Sequence, residues 1–275
     1  MIPNIPASAC DCHIHIYEDG AKLAVGSTFP PPYAPLSAYR SVQRSTGLER
    51  VVLIQPTGYG FDNSILLAAL MELGSSFARG VVVVSTDVSE IELKNLHALG
   101  VRGIRYMMLA PGGGLLPWDT LERMAERIAP LGWHINLQLD GRDLPRYVNL
   151  LDALPCKLVI DHTGKFLEPV LLKSPSFKAL LQIVSREGRW IKLSAPYETS
   201  KIGPPNYDDV GALAQELIRS YPEHCLWASN WPHPNRIEIP MELDLLNLLS
   251  RWAPDQALYK KILVSNPAEA YGFNS

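Results

Sequence analysis

The segment Asp11-Cys12-His13-Ile14-His15 sets two imidazoles two residues apart. On an extended strand both would face one side, about 7 Å apart along the backbone, able to address one metal ion or one substrate. Far along the chain, Ala228-Ser229-Asn230-Trp231-Pro232-His233-Pro234 ends another short apolar run. A site built on two histidines would take its carboxylate there, to complete a cation's ligand set or to draw a proton from water. The residue present is Asn230, which has the shape of an aspartate without its charge or basicity.

Bringing such distant positions together requires a scaffold. Short β-branched runs alternate with stretches of helical period, the pattern of βα units around a parallel sheet. Eight strands are expected, at 10–16, 51–57, 80–85, 101–107, 134–139, 157–162, 190–195 and 225–229. Apolar stripes at Leu121, Met124, Ala125, Ile128, at Leu144, Tyr147, Val148, Leu151 and at Val210, Leu213, Ala214, Leu217 supply helix faces to cover them. Gly100, Gly132 and Gly188 stand where helices should stop, each just before a new strand. Eight units predict a (β/α)8 TIM barrel, one domain over residues 1–275. An open doubly wound sheet fits less well, because the place of its glycine-rich phosphate turn holds His13-Ile14-His15. Pro111-Gly112-Gly113-Gly114 lacks the lysine and hydroxyl of a phosphate loop and reads as a flexible connection. Phe29-Pro30-Pro31-Pro32-Tyr33 reads as an extended loop able to cover a site.

In such a barrel the C-terminal strand ends form the active face. His13 and His15 end strand 1, Arg105 lies late in strand 4, Gln138 in strand 5, His162 ends strand 6 and Asn230 ends strand 8. One histidine at a strand end is usually a hydrogen-bonded structural residue, whereas this many polar groups on one rim form a site.

Apolar residues make up 47% and charged residues 19% of the chain, and the net charge is -3. That composition excludes a disordered chain and carries no electrostatic footprint for nucleic acid, so a small-molecule partner is expected. Neither a signal pattern nor an apolar run long enough for a bilayer is present, so a cytoplasmic protein with no membrane partner is expected. Cys10, Cys12, Cys156 and Cys225 lie at or beside strands and read as small buried hydrophobes.

Asp-x-His-x-His on strand 1, Val159-Ile160-Asp161-His162-Thr163-Gly164 on strand 6 and the Asn230 segment on strand 8 resemble the amidohydrolase superfamily. Trp231-Pro232-His233-Pro234 and Gly100-Val101-Arg102-Gly103-Ile104-Arg105 narrow the likeness to its 2-pyrone-4,6-dicarboxylate lactonase branch, over nearly the whole chain. The resemblance implies the same barrel, with histidines polarising a lactone carbonyl and a strand 8 aspartate activating water. Metal-dependent members of the superfamily would use the strand 1 histidines, a strand 4 lysine or its equivalent, histidines on strands 5 and 6, and the strand 8 aspartate. This chain has Arg105, Gln138 and Asn230 at three of those places. A guanidinium repels cations and an amide is a poor ligand, so neither a metal nor another cofactor is expected. Of the arginines with which the branch grips a dianion, only Arg105 has a counterpart; Asn136, Gln138, Asp140, Tyr197 and Glu198 suit hydroxyls instead.

Without a strand 8 base, water attack loses much of the roughly 10²–10⁴ that general base catalysis contributes. A neighbouring hydroxyl of a polyhydroxylated lactone attacks with an effective molarity on the order of 10⁵–10⁸ M. Joined to the resemblance, this implies a metal-independent isomerase turning a sugar-acid 1,5-lactone into its 1,4-lactone in galacturonate breakdown. His13, His15 and His162 would stabilise the oxyanion or move the proton, with Asn230 orienting a hydroxyl. Arg105 and Lys165 would pair with the remaining carboxylate, Gln138 and Tyr197 would bind hydroxyls, and Tyr39 would close the site from the loop after strand 1. Two other readings stand beside it: lactone hydrolysis, with Glu198 or Asp140 as base or with Asn230 replacing a native aspartate, and non-catalytic binding of a sugar acid.

Overall fold

The computed structural model describes residues 4–25, 27, 31–110 and 113–274. Its strands are β1 (Cys10–Ile14), β2 (Arg50–Ile54), β3 (Ala78–Val82), β4 (Val101–Met107), β5 (His134–Gln138), β6 (Lys157–Ile160), β7 (Arg189–Leu193) and β8 (Cys225–Trp227). They form one parallel sheet in the order β1 to β8, each strand paired with its neighbour in sequence. Just beyond β8 the sheet is stitched to β1. Ile14 bridges Trp231, His15 N–H donates to the Trp231 carbonyl at 2.8 Å, and Asn230 N–H donates to the His13 carbonyl at 3.0 Å. The segment that carries Asn230 therefore closes the (β/α)8 barrel.

Helices α1 (Leu36–Thr46), α2 (Ser64–Leu73), α3 (Glu90–Ala98), α4 (Leu121–Ile128), α5 (Leu144–Ala153), α6 (Pro175–Val184), α7 (Asp208–Ser220) and α8 (Glu242–Trp252) alternate with the strands. The stripe Leu121, Met124, Ala125, Ile128 of α4 is fully buried, as is Val210, Leu213, Ala214, Leu217 of α7, each large side chain contributing about 1.5–3 kcal/mol. On α5 only Leu144 and Leu151 are fully buried, with Tyr147 and Val148 half-covered. Ser89 and Ser174 cap α3 and α6 by accepting backbone N–H bonds from Glu92 and Phe177. None of the described helices is long and apolar enough to cross a membrane.

Inside the barrel, Cys10, Cys12, Val52, Val81, Val159, Trp190 and Leu226 form a separate apolar cluster, plugged at the N-terminal end by Tyr271 and Phe273. All four cysteines are free and buried. The register of β1 on β2 shifts between Asp11 and Ile14. This bulge lets Cys12 and His13 both face the interior, where strict alternation would send one of them out. Asp11 points the other way and accepts from Ser229 N–H at 2.9 Å, Ser229 Oγ at 2.6 Å and Tyr39 Oη at 3.1 Å. Tyr39 is thus not on the loop after β1: it lies in α1, completely buried, and ties that helix to the β1–β8 seam. A bridge between Tyr17 and Ala34 pins the base of the loop after β1, while Phe29 and Pro30, like Pro111 and Gly112, lie outside the described residues.

Strands β1, β2, β3, β5, β6, β7 and β8 stop earlier than their periodicity suggests, because the chain turns off at the rim. His162, Thr163, Lys165, Ala195, Asn230 and His233 all have left-handed backbones, uncommon for residues other than glycine and concentrated past the ends of β6, β7 and β8.

Candidate active site

The deepest polar layer is centred on Lys192 of β7. Its ammonium lies 2.6 Å from Asn136 Oδ1, 3.0 Å from Asp161 Oδ1 and 3.1 Å from His13 Nδ1, and all four residues are inaccessible to solvent. Asn136 Nδ2 donates to Asp161 Oδ2 at 2.7 Å. Burial alone would raise the Asp161 carboxyl, but the Lys192 charge, with His13 beside it, holds it well below the usual carboxylate range. Sequence reasoning missed Lys192. The available signal was an ionisable residue inside the short strand Arg189-Trp190-Ile191-Lys192-Leu193, which a barrel must bury.

Above that layer the two strand 1 imidazoles meet edge to face, their Nε2 atoms 3.2 Å apart. His15 Nδ1 lies 2.8 Å from the Ile54 carbonyl, which can only accept, so that nitrogen carries the hydrogen and Nε2 of neutral His15 is an acceptor. His13 Nε2–H therefore donates to His15, and His13 Nδ1 accepts from Lys192. Burial pushes His15 down to about 3, with Arg105 adding to the effect, and pushes His13 and His162 well below the ordinary imidazole value. Three neutral imidazoles result at neutral pH. His162 sits 4.9 Å from His13 between ring centroids, and its Nδ1 is 2.9 Å from Ser194 Oγ.

A cavity of about 360 Å³ opens over this floor, with His15, Arg105, Gln138, His162, Lys165, Glu198 and Asn230 on its polar wall and Met107, Leu109 and Leu167 among its apolar lining. Arg105 donates to two neutral oxygens, the Gln55 carbonyl at 2.7 Å and Gln138 Oε1 at 3.0 Å, and its buried Nε has no partner. That geometry leaves a guanidinium charge for an anionic ligand. Lys165 contacts Glu198 Oε2, and burial pushes its ammonium down to about 7. Asn230 Nδ2 donates to Tyr197 Oη at 3.1 Å and to Glu198 Oε1 at 3.2 Å.

Six of the expected site residues thus share the cavity wall: His15, Arg105, Gln138, His162, Lys165 and Asn230. Three take other places. His13 lies beneath the floor and donates its Nε2–H to His15. Tyr197, expected to bind a hydroxyl, instead backs Asn230, its own hydroxyl 2.7 Å from His233 Nδ1. Tyr39 is the seam residue described above. Of the two alternative bases, Asp140 is held by Arg142 Nε at 2.8 Å and the Arg142 backbone N–H at 3.0 Å, away from the cavity, while Glu198 is on its wall.

His13, Asp161 and His162 bring ligand-type atoms within 4.8 Å of one another. The full set nevertheless does not fit a divalent ion. The Lys192 ammonium already compensates Asp161 and occupies His13 Nδ1, Arg105 adds a second cation, Gln138 Oε1 is engaged by Arg105, and Asn230 is a neutral amide.

The amidohydrolase family model matches residues 10–273. The chain is 32% identical to the 2-pyrone-4,6-dicarboxylate hydrolase of Comamonas testosteroni, over 97% of this chain and 91% of that protein. It is also 32% identical to the D-galactarolactone isomerase of Agrobacterium fabrum, over 96% of this chain and 91% of that protein. The apo crystal structure of an Agrobacterium tumefaciens protein superposes with a TM-score of 0.92 at 31% identity, covering 99% of this chain and 98% of that one.

Proposed function

This chain belongs to the amidohydrolase family, and from that premise we propose that it isomerises a sugar-acid lactone, D-galactaro-1,5-lactone to D-galactaro-1,4-lactone, by intramolecular acyl transfer. One observation carries the reading: the strand 8 position presents an amide, which is not basic and whose nitrogen donates to Tyr197 and Glu198, so that position offers water no base. The substrate's C4 hydroxyl attacks C1, a bicyclic tetrahedral intermediate forms, and O5 leaves. Arg105, which lines the cavity and donates to two neutral oxygens, takes the C6 carboxylate. When Ser194 donates to Nδ1 of His162, Nε2 carries a hydrogen for the developing oxyanion. Both nitrogens of His15 are already bonded, which makes it a wall that fixes the carbonyl's approach rather than a donor. The cavity volume lies in the range of small-molecule sites.

A second reading, lactone hydrolysis, is supported by the equal identity to a hydrolase. Proton NMR of the 1,5-lactone with the protein, joined to mass spectrometry of the products formed in oxygen-18 water, separates the two. Isomerisation yields unlabelled 1,4-lactone; labelled open acid as the sole product would overturn the isomerase reading.

Metal independence belongs to the same proposal. Dialysis against a chelator is expected to leave turnover unchanged, because the donor set is already neutralised by Lys192. Loss of turnover that added zinc or manganese restores would contradict it.

In the Asn230→Asp variant, the ratio of open acid to 1,4-lactone is expected to rise by about tenfold or more as a general base returns to strand 8. Total rate should fall, since the new carboxylate faces Glu198 Oε1 across the 3.2 Å now bridged by an N–H. A ratio unchanged in a folded variant would remove Asn230 from the choice between isomerisation and hydrolysis.

A further inference from the structure

We infer that Glu198 is the catalytic residue that carries the proton in this site, a role that rests on the lactone reading above. Among the described residues it is the carboxylate on the cavity wall, with its side chain 13% exposed. Both of its oxygens are held: Oε1 accepts from Asn230 Nδ2 and Oε2 meets the Lys165 ammonium.

The orientation of Asn230 is not free. His233 Nε2 lies 3.1 Å from Glu242 Oε1, so that nitrogen carries a hydrogen, and when it is the ring's single hydrogen Nδ1 accepts. Tyr197 O–H then donates to His233 Nδ1 at 2.7 Å, and the Tyr197 oxygen accepts from Asn230 Nδ2. Glu242, His233 and Tyr197 therefore act as positioning residues, fixing Asn230 as a donor to Glu198. A flipped amide would set its oxygen against the carboxylate. The Trp231-Pro232-His233-Pro234 motif thus supplies the residue that orients Asn230.

The chemistry balances without any further reactant. As O4 bonds to C1, Glu198 takes the C4 hydroxyl proton; as the C1–O5 bond breaks, the same carboxyl returns that proton to O5.

The test uses the NMR assay with the full chain. Glu198→Gln is expected to lower turnover by roughly 10²–10⁴ while calorimetric affinity for galactarate changes less than about threefold. Glu198→Gln combined with Asn230→Asp restores an amide–carboxylate pair in reverse order and should regain at least about tenfold over the single variant. Circular dichroism and melting confirm that both fold. Wild-type isomerisation with near-normal turnover in Glu198→Gln overturns this assignment and leaves the lactone reading standing. Loss of turnover together with loss of binding assigns Glu198 to substrate binding and likewise overturns it. A wild-type protein that neither isomerises nor hydrolyses the lactone overturns the lactone reading, and this inference with it.

Discussion

Replacing Lys192 with methionine is expected to cost about 3–5 kcal/mol of folding stability, the scale for breaking a buried ion pair from one side. Methionine matches the volume but leaves the Asp161 carboxylate uncompensated in a place with no solvent, and strips a donor from Asn136 Oδ1 and His13 Nδ1. The urea midpoint should fall with little change in slope. A second effect concerns the site itself. Without Lys192, His13 Nδ1 is driven to protonate toward Asp161 Oδ1, 3.3 Å away, which turns Nε2 into a lone pair facing the lone pair of His15. Replacing Asp161 with leucine in the same chain removes the stranded charge and should recover much of the lost stability. A single variant as stable as wild type would show that the pair is not load-carrying in the fold.

Acid should unfold the protein well above the range where exposed carboxylates titrate. His13, His15, His134 and His162 are buried and neutral, each pushed below its ordinary value chiefly by burial. His134 packs edge-on against Tyr271 with both ring nitrogens unpartnered. Below pH 6.5 the unfolded chain binds protons that the folded chain refuses, so stability falls as pH drops, at about 1.4 kcal/mol per histidine per pH unit. For His15 and His134, both held to about 3, the loss between pH 6.5 and 5 is about 4 kcal/mol, and the window extends down to their folded values. His13 and His162 add in the same direction. Asp11 opposes: burial raises it to about 6, so its neutral form returns about 1.4 kcal/mol by pH 5. The net expectation is a urea midpoint that is nearly level from pH 7.5 to 6.5 and drops from there to pH 5. A flat midpoint over that range would show that the interior histidines are not neutral, or that the unfolded chain does not charge them.

Periodicity determined the barrel: alternating β-branched runs and apolar helical stripes are local properties, and eight of them in series leave little choice but a closed parallel sheet. Strand-end position then brought His15, Arg105, Gln138, His162, Lys165 and Asn230 to one rim, because in this architecture the C-terminal ends converge whatever their separation in the chain. The amide at position 230 was equally legible, since it is a matter of residue type alone. Only the tertiary structure decided what those residues touch. The β1 bulge is a register event between two strands, and it sent His13 beneath the floor. Tyr39 became a seam residue because α1 docks where Asp11 needs a donor. Lys192 became the centre of the deepest polar layer only because closure of the barrel set β7 across from β1, at a separation of 179 residues. The direction of the Asn230 amide follows from the Glu198 carboxylate that its nitrogen faces, with Tyr197, His233 and Glu242 hydrogen-bonded in series behind it. Residue type and period are written locally; donor and acceptor roles depend on which partner faces each atom, and that exists only once the chain has folded.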